Sequence, residues 1–484
     1  MFCIRRCAVI ALTALLSRVV CAQETTSPEK AQSPWAVDRT LTVSPQGEPL
    51  PALHYRLLPP HSEIKEGNAV PIYLRLIHEQ SDAAQKHWTE TPQAWNALPI
   101  SKLPLGEVRR FLKDHHYLAR QLEVGARRRT AEWNYTLEEP NPIGLLLPDA
   151  QVMRSYRHLL LLQVRTALAE KDFTKAAHHL ETGFAFSGHV AEGPTLIHGL
   201  IAIGLASQFA GTVSDFVEQP GSPNLYWALT ALPRPLIDLA PGLTFEYQAG
   251  EKQLPILGDL DRDRSAEQWE ADLQFLRKEL RGLDDDTQIG NVRHPDWFPK
   301  GAAPGEPSAK APDLAAARKF VAKTQDLPLD KVAAMPTAQV LLLYIAGTYR
   351  QDRDDWHKAA YLPYSQAHSR FKDAAARLRE APITEGHILA RLLLPALDRV
   401  VAKQNLLDRN IAALRVVEAL RIHAAAHDGK LPDKLNEITA VPVPVDPGTG
   451  QPFAYAREGN VCTLISQSPD ALPNNSLRYR VTVR

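Results

Sequence analysis

Apolar residues recur three and four positions apart between Pro148 and Leu232, which is the spacing of one face of an α-helix. The run divides into three predicted helices, because Lys171-Asp172 interrupts it first and Glu192-Gly193-Pro194 interrupts it again. Asp149 stands where it can cap the first helix. The third helix, from Pro194 to Ser214, contains no charged residue, and a helix that is apolar all round is expected to be buried among others.

The third helix is also long enough to cross a membrane, for which about 20 apolar residues suffice. His198, Gln208 and Thr212 lie along it, and basic residues do not flank it. Both features favour burial in a protein core over a bilayer. We therefore expect no membrane span once an N-terminal signal has been removed.

Helical spacing also predicts helices at 104–129, 265–282 and 396–427. The tail after Gly429 differs, because alternating apolar residues there predict two short strands joined as a hairpin around Glu458-Gly459-Asn460. The expected fold class is mainly α. It combines a packed multi-helix arrangement, with repeat-like stacking as one option, and a small C-terminal α/β tail.

Changes in composition divide the chain into six segments. Residues 23–40 are polar and are expected to be disordered, and a stretch rich in Asp, Pro and Gly reads as a linker. The predicted segments are 1–22 (signal peptide), 23–147 (extended and helical), 148–283 (central helical domain), 284–312 (linker or long loop), 313–428 (C-terminal helical region) and 429–484 (small α/β tail).

The first 22 residues have the pattern of a secretory signal. Arg5 and Arg6 precede a short apolar stretch, and small residues end it at Ala22. We expect export to the periplasm or the extracellular space, with a lipid anchor at Cys21 as the less favoured alternative. Cleavage would leave Cys462 as the one cysteine, so no intrachain disulfide is expected.

Charge and motifs limit the function classes. Lys and Arg together number 55, as do Asp and Glu, so the formal net charge is zero and nothing in it favours nucleic acid as a partner. The HExxH, GxSxG, GxxxxGK[ST] and GxGxxG motifs do not occur.

Stacked helices commonly present grooves to peptides or proteins. We expect a non-catalytic binding or scaffolding protein of the bacterial cell envelope, without a cofactor; the alternative is a hydrolase or metal-dependent enzyme whose residues converge only in the fold.

One acidic stretch has the spacing of a calcium loop. The ligand positions 1, 3, 5, 9 and 12 of an EF-hand correspond here to Asp259, Asp261, Asp263, Glu267 and Glu270. Arg264 stands where that loop needs glycine. The alternative is that these acidic residues lie at the N-terminal end of a helix that Ser265 caps, without a metal.

Two histidines form a candidate zinc pair. His423 and His427 are four residues apart, which places them on one helix face. A zinc site needs a third ligand, which the sequence does not identify. Histidines at the C-terminal end of a helix are also favoured by the helix dipole without any metal.

The tail resembles the periplasmic module of type II secretion major pseudopilins. That module ends a long helix in a G-x-x-P turn, followed by a short helix, a D-P-x-G-x-P-x-x-Y segment and a small antiparallel sheet. The matching residues are Gly429, Pro432, Asp446, Pro447, Gly450, Pro452 and Tyr455. The resemblance implies a similar fold for the tail, although the acidic calcium loop of that family has no counterpart here.

Two longer segments, Gly183 to Ile203 and Pro223 to Leu239, resemble a family of secreted, mainly helical bacterial proteins without an assigned activity. Lys171-Asp172-Phe173 with Ala176 resembles the turn between the helices of a tetratricopeptide repeat. No second copy occurs at the repeat's period of about 34 residues. The sequence therefore does not support a regular repeat array.

Overall fold

A computed structural model describes residues 36–79, 90–135, 147–286, 313–380, 390, 395–468 and 475–484. The predicted signal peptide lies outside the described residues, and so does the predicted linker except for 284–286, which end a helix. The described chain is mainly helical with a small mixed sheet near the C-terminus, which confirms that part of the predicted fold.

In chain order the elements are β1 (Val37–Val43), β2 (Lys65–Asn68), α1 (Val70–His78), α2 (Leu105–Asp114), α3 (His116–Ala126), β3 (Arg128–Thr130), α4 (Pro148–Ala169), α5 (Phe173–Ala191), α6 (Leu196–Val217), α7 (Tyr226–Thr230), α8 (Ala240–Gln253), α9 (Ala266–Asp286), α10 (Leu314–Thr324), α11 (Leu329–Ala334), α12 (Thr337–Ala360), α13 (Tyr364–Glu380), α14 (Pro395–Ala426), β4 (Ala454–Glu458), β5 (Val461–Ser466) and β6 (Leu477–Val483).

The chain divides into two compact units. Of the described residues, the first unit contains 243–286, 313–380, 390 and 395–400, and the second contains 36–79, 90–135, 147–242, 401–468 and 475–484. Within the first unit, Trp269, Leu273 and Leu276 form the buried face of α9, as their spacing predicts.

Helices α4, α5 and α6 form the core of the second unit, as the hydrophobic pattern predicts. Gly183 lets α5 approach α6, because a Cβ atom at this position would lie 2.4 Å from Cε1 of Phe209. Helix α6 is long and apolar enough to span a membrane by length and composition, and 78% of its most apolar window is buried inside the protein. That burial is what a core helix requires.

The helix predicted at 104–129 is two helices. His115 separates α2 from α3 with non-helical backbone angles, φ −105° and ψ 18°. The last residues of the predicted helix do not continue it either, because Arg128–Thr130 forms β3 and pairs in parallel with β2. A partner strand more than 60 residues away in the chain decides this conformation, so helical spacing alone misassigns it.

The tail sheet has four strands in the order β1-β6-β5-β4. The predicted hairpin is β4 and β5, which are antiparallel and turn at Gly459-Asn460. Strand β6 was not predicted, and it pairs in parallel with β1 along its whole length. Residues 37–40, expected to be disordered, are therefore ordered by a strand from the other end of the chain.

The tail packs against α14. Tyr479 on β6 donates a hydrogen bond to Oδ1 of Asn410 at 2.6 Å, and both residues are buried. Nε of Arg409 donates to Oδ1 of Asp446 at 3.2 Å and to Oγ of Ser466 at 2.7 Å. The buried ion pair thus connects the helix with the turn and with β5.

A second buried ion pair joins Arg421 and Glu418, one turn apart on α14, at 2.9 Å; neither side chain is exposed to solvent. Arg421 also donates to the carbonyl oxygens of Ser44 at 3.0 Å and Ser222 at 2.7 Å. Glu418 accepts from the amide of Leu225 at 3.0 Å. These bonds fix the segment after β1 and the segment before α7 on the long helix.

Candidate functional site

Four polar side chains in the second unit form a chain of hydrogen bonds near the N-terminal end of α6. Oγ1 of Thr195 lies 2.9 Å from Nδ1 of His198, and Nε2 of His198 lies 3.2 Å from the Tyr135 hydroxyl. Tyr135 donates to Oδ2 of Asp149 at 2.6 Å. Trp133 closes one side, with its ring centroid 5.4 Å from that of His198.

The donors and acceptors run in one direction along this chain. Because the Tyr135 hydroxyl donates its proton to Asp149, it can only accept from His198, so Nε2 of His198 carries the ring proton. Nδ1 then accepts from the Thr195 hydroxyl. The arrangement orients a histidine as a base toward a hydroxyl group, with a tyrosine and a carboxylate behind it.

Burial governs the electrostatics of this chain. It lowers the pKa of His198 to about 4, although the charge of Asp149 opposes the shift. It also raises the pKa of Tyr135, together with the hydrogen bond to Asp149. The neutral forms assigned above are therefore those present at neutral pH. Thr195 is buried as well, so its hydroxyl is held inside the protein and not at an open surface.

A second buried histidine lies close by in the sequence. Nε2 of His189 lies 3.1 Å from the carbonyl oxygen of Arg128 and must donate to it, so Nδ1 accepts from the Tyr73 hydroxyl at 2.9 Å. Trp133 donates to the His189 carbonyl oxygen at 2.9 Å. Burial lowers the pKa of His189 to about 4. This histidine joins α1, β3 and α5 through neutral hydrogen bonds.

Among the described residues, one group of three potential ligands converges: atoms of Glu63, His178 and Glu181 lie within 4.8 Å of one another. Arg127 lies among them, with Nε 3.0 Å from Glu63 and Nη2 3.6 Å from Glu181. Hydrogen bonds that His178 donates to Glu123 and Glu181 raise the pKa of His178 to about 9. Arginine and a protonated histidine therefore neutralise these carboxylates already.

The predicted calcium ligands belong to the first unit. Asp259 is paired with Arg262 at 2.9 Å and with Arg264 at 3.1 Å. Ser265 caps α9, since its hydroxyl accepts from the amide of Gln268 at 3.3 Å. Asp261, Asp263, Glu267 and Glu270 are exposed. The structure does not bring three of these ligands together within the distance given above, and calcium binding stays a prediction.

The predicted zinc pair lies at the end of α14. The rings of His423 and His427 are stacked, with centroids 3.9 Å apart and an angle of 12° between the planes. Nδ1 of His427 lies 2.7 Å from the carbonyl oxygen of His423 and donates to it. No third ligand joins the pair among the described residues, and zinc binding also stays a prediction.

The sequence identified Asp149 only as a helix cap, but α4 begins at Pro148 without a side-chain cap, so Asp149 lies in its first turn, where its Oδ1 accepts from the amide of Ala150 at 2.9 Å. Its other oxygen is the acceptor for Tyr135, 14 residues earlier, for which the sequence carries no signal. The sequence shows Gly193 only as part of a break between helices, but in the fold it makes room for His198, because a Cβ there would lie 2.2 Å from the histidine ring. No family model, no curated protein and no solved structure matches the chain.

Proposed function

We propose that this protein is an exported, non-catalytic binding or scaffolding protein of the bacterial cell envelope, and that it binds a peptide or protein. The observation that carries the proposal is a pair of exposed leucines in the loop of residues 48–56, which belongs to the second unit. Leu50 is 95% exposed and Leu53 is 53% exposed. Two large apolar side chains that are exposed three residues apart in one loop are available for contact with a protein partner.

Contacts on both sides of the loop limit its movement, which favours a role in binding a partner. Before the loop, the amide of Gln46 donates to the carbonyl oxygen of Arg421 at 3.1 Å, and at its first residue the carboxylate of Glu48 accepts from Trp227. After it, Leu57 is buried. A preorganised loop loses less conformational entropy when a partner binds. We propose a partner with an apolar cleft that accepts the two leucines.

Photo-crosslinking in the exported full-length protein tests this proposal. A benzoylphenylalanine at position 50 or 53 should give a discrete crosslinked product, and Leu50→Ser combined with Leu53→Ser should remove partner binding without loss of folding. Val445 is 52% exposed in the same unit and serves as the matched control position. Equal crosslinking from position 445, or none from the loop, would contradict the proposal.

A hydrolase is the second candidate, and the direction of the hydrogen bonds from Thr195 to Asp149 supports it. In that case Thr195 would be the nucleophile and His198 its base. Because Thr195 is buried, this role requires the segment around it to open, and a fluorophosphonate probe should then label wild-type protein but not the Thr195→Val variant. Labelling of that kind would overturn the non-catalytic proposal.

The remaining proposals concern origin and export. We propose that the tail is related to the periplasmic module of major pseudopilins and that the chain belongs with the secreted helical proteins it resembles. We propose that residues 1–22 are removed on export, so N-terminal sequencing of the exported protein should begin at Gln23. A lipid on Cys21 would replace soluble export with membrane anchoring.

A further inference from the structure

Three basic side chains share one face of α4. Arg154, Arg157 and His158 are three and four residues apart, so they are neighbours on the helix surface. Asn96 lies against this face and donates from Nδ2 to the carbonyl oxygen of His158 at 2.8 Å. The three side chains belong to the second unit and are a different feature from the loop of residues 48–56.

Neither arginine forms an ion pair within the described parts of the chain. Arg157 uses Nη1 to donate to the carbonyl oxygen of Arg154, its own helix, at 2.8 Å. The carboxylates at the two ends of α4 have other partners, because Asp149 accepts from Tyr135 and Glu170 pairs with Arg109 at 2.7 Å, and Asp215 on α6 pairs with Arg165 at 2.6 Å. Among the described residues, therefore, no carboxylate forms an ion pair with Arg154 or Arg157 on this face.

The charged groups are partly withdrawn from water. Nε of Arg157 is buried and has no acceptor, and only 7% of His158 is exposed. Burial, with the two guanidinium groups, lowers the pKa of His158 to about 3, so its ring is neutral and keeps an N–H donor. Burial also lowers the pKa of Arg157, to about 10, which leaves it protonated at neutral pH.

An unpaired cation that is partly buried is unfavourable, because it loses hydration without gaining a counter-charge. A buried donor without an acceptor in a native protein calls for a bound ion or water. Arginine presents its N–H groups as a planar fork that matches the oxygen atoms of phosphate and carboxylate groups. Two such forks carry a charge of two, which a phosphate dianion balances and a single carboxylate does not.

We propose that Arg154, Arg157 and His158 bind the phosphate group of a small soluble molecule, either inorganic phosphate or a phosphate monoester. The two guanidinium groups supply the charge and His158 supplies a neutral donor. Nε of Arg157 is buried, which favours a small soluble phosphate over a phosphate that is held at a bilayer surface. This inference is independent of the proposed partner loop.

Thermal unfolding of the full-length protein tests the site. Inorganic phosphate and glycerol 3-phosphate should raise the midpoint above that in sodium chloride of equal ionic strength. Arg157→Gln should weaken phosphate binding by about tenfold or more, since it removes a charge-assisted bond. Arg157→Lys should also weaken binding, because it keeps the charge but loses the fork. Arg75→Gln is the control, since that arginine is exposed and paired with Glu79.

A second readout distinguishes binding from a structural role. Without phosphate, Arg157→Gln should unfold at the same or a higher temperature than wild type, because it removes an uncompensated charge. Isothermal titration of the folded variant with inorganic phosphate then measures the lost affinity directly. Unchanged affinity in Arg157→Gln, no response beyond that to chloride, or a response only to vesicles that contain phosphatidic acid would each overturn the proposal.

Discussion

Arg421→Ala should be strongly destabilising, because the guanidinium is the centre of a fully buried network. It bonds Glu418, the carbonyl oxygens of Ser44 and Ser222, and Oγ of Ser222 at 2.7–3.1 Å. Its removal leaves a buried carboxylate unpaired and buried carbonyl groups without donors. Breaking a buried ion pair from one side typically destabilises by about 3–5 kcal/mol.

Urea unfolding followed by circular dichroism measures this change, and Arg478→Ala is the matched control. Arg478 pairs with Asp38 between β6 and β1, but both side chains are partly exposed. An exposed pair contributes about 0–1 kcal/mol. If Arg421→Ala costs no more than Arg478→Ala, the buried network does not stabilise the fold and the reasoning is wrong.

The pH dependence of the same variant gives an independent check. Burial already raises the pKa of Glu418, and Arg421 opposes that shift. Without Arg421 the folded-state pKa rises further above the ordinary value of 4.5, so the folded state takes up the proton more readily. The deficit of the variant should therefore be smallest near pH 4.5 and grow as the pH rises. A deficit that does not change with pH would contradict the stranded carboxylate as its cause.

Three further predictions address other parts of the second unit. The pKa of His178 is raised from 6.5 to about 9. The stabilisation that protonated His178 contributes is therefore present below pH 6.5 and is lost as the pH rises to 9. In the His178→Gln variant, the thermal midpoint should change less with pH between 6.5 and 9 than it does in wild type. Tyr135→Phe strands the Nε2 proton of His198 and should destabilise by about 1–3 kcal/mol in urea, whereas Tyr117→Phe, at an exposed position, should be neutral. Truncation at Gly429 removes β4, β5 and β6 and should lower the thermal midpoint, and an unchanged midpoint would mean that the tail is an independent appendage.

The sequence alone determined the elements whose signals are local. Helices α4, α5 and α6 follow from apolar residues three and four positions apart, and the β4–β5 hairpin follows from alternation around Gly459. Hydrophobic spacing works here because each helix buries one face, or in α6 nearly all faces, whatever its neighbours are. The same reasoning failed at 104–129, where strand pairing replaces the end of the predicted helix.

Only the tertiary structure decided which distant residues meet. Strand β1 is ordered by β6, more than 400 residues later, and Tyr135 reaches His198 across 63 residues. The unpaired charge of Arg154 and Arg157 is equally invisible in a chain with balanced charge, because it depends on where each carboxylate finds its partner. Local spacing sets the face of an element on which a side chain lies, but packing and the pairing of buried charges set what it contacts.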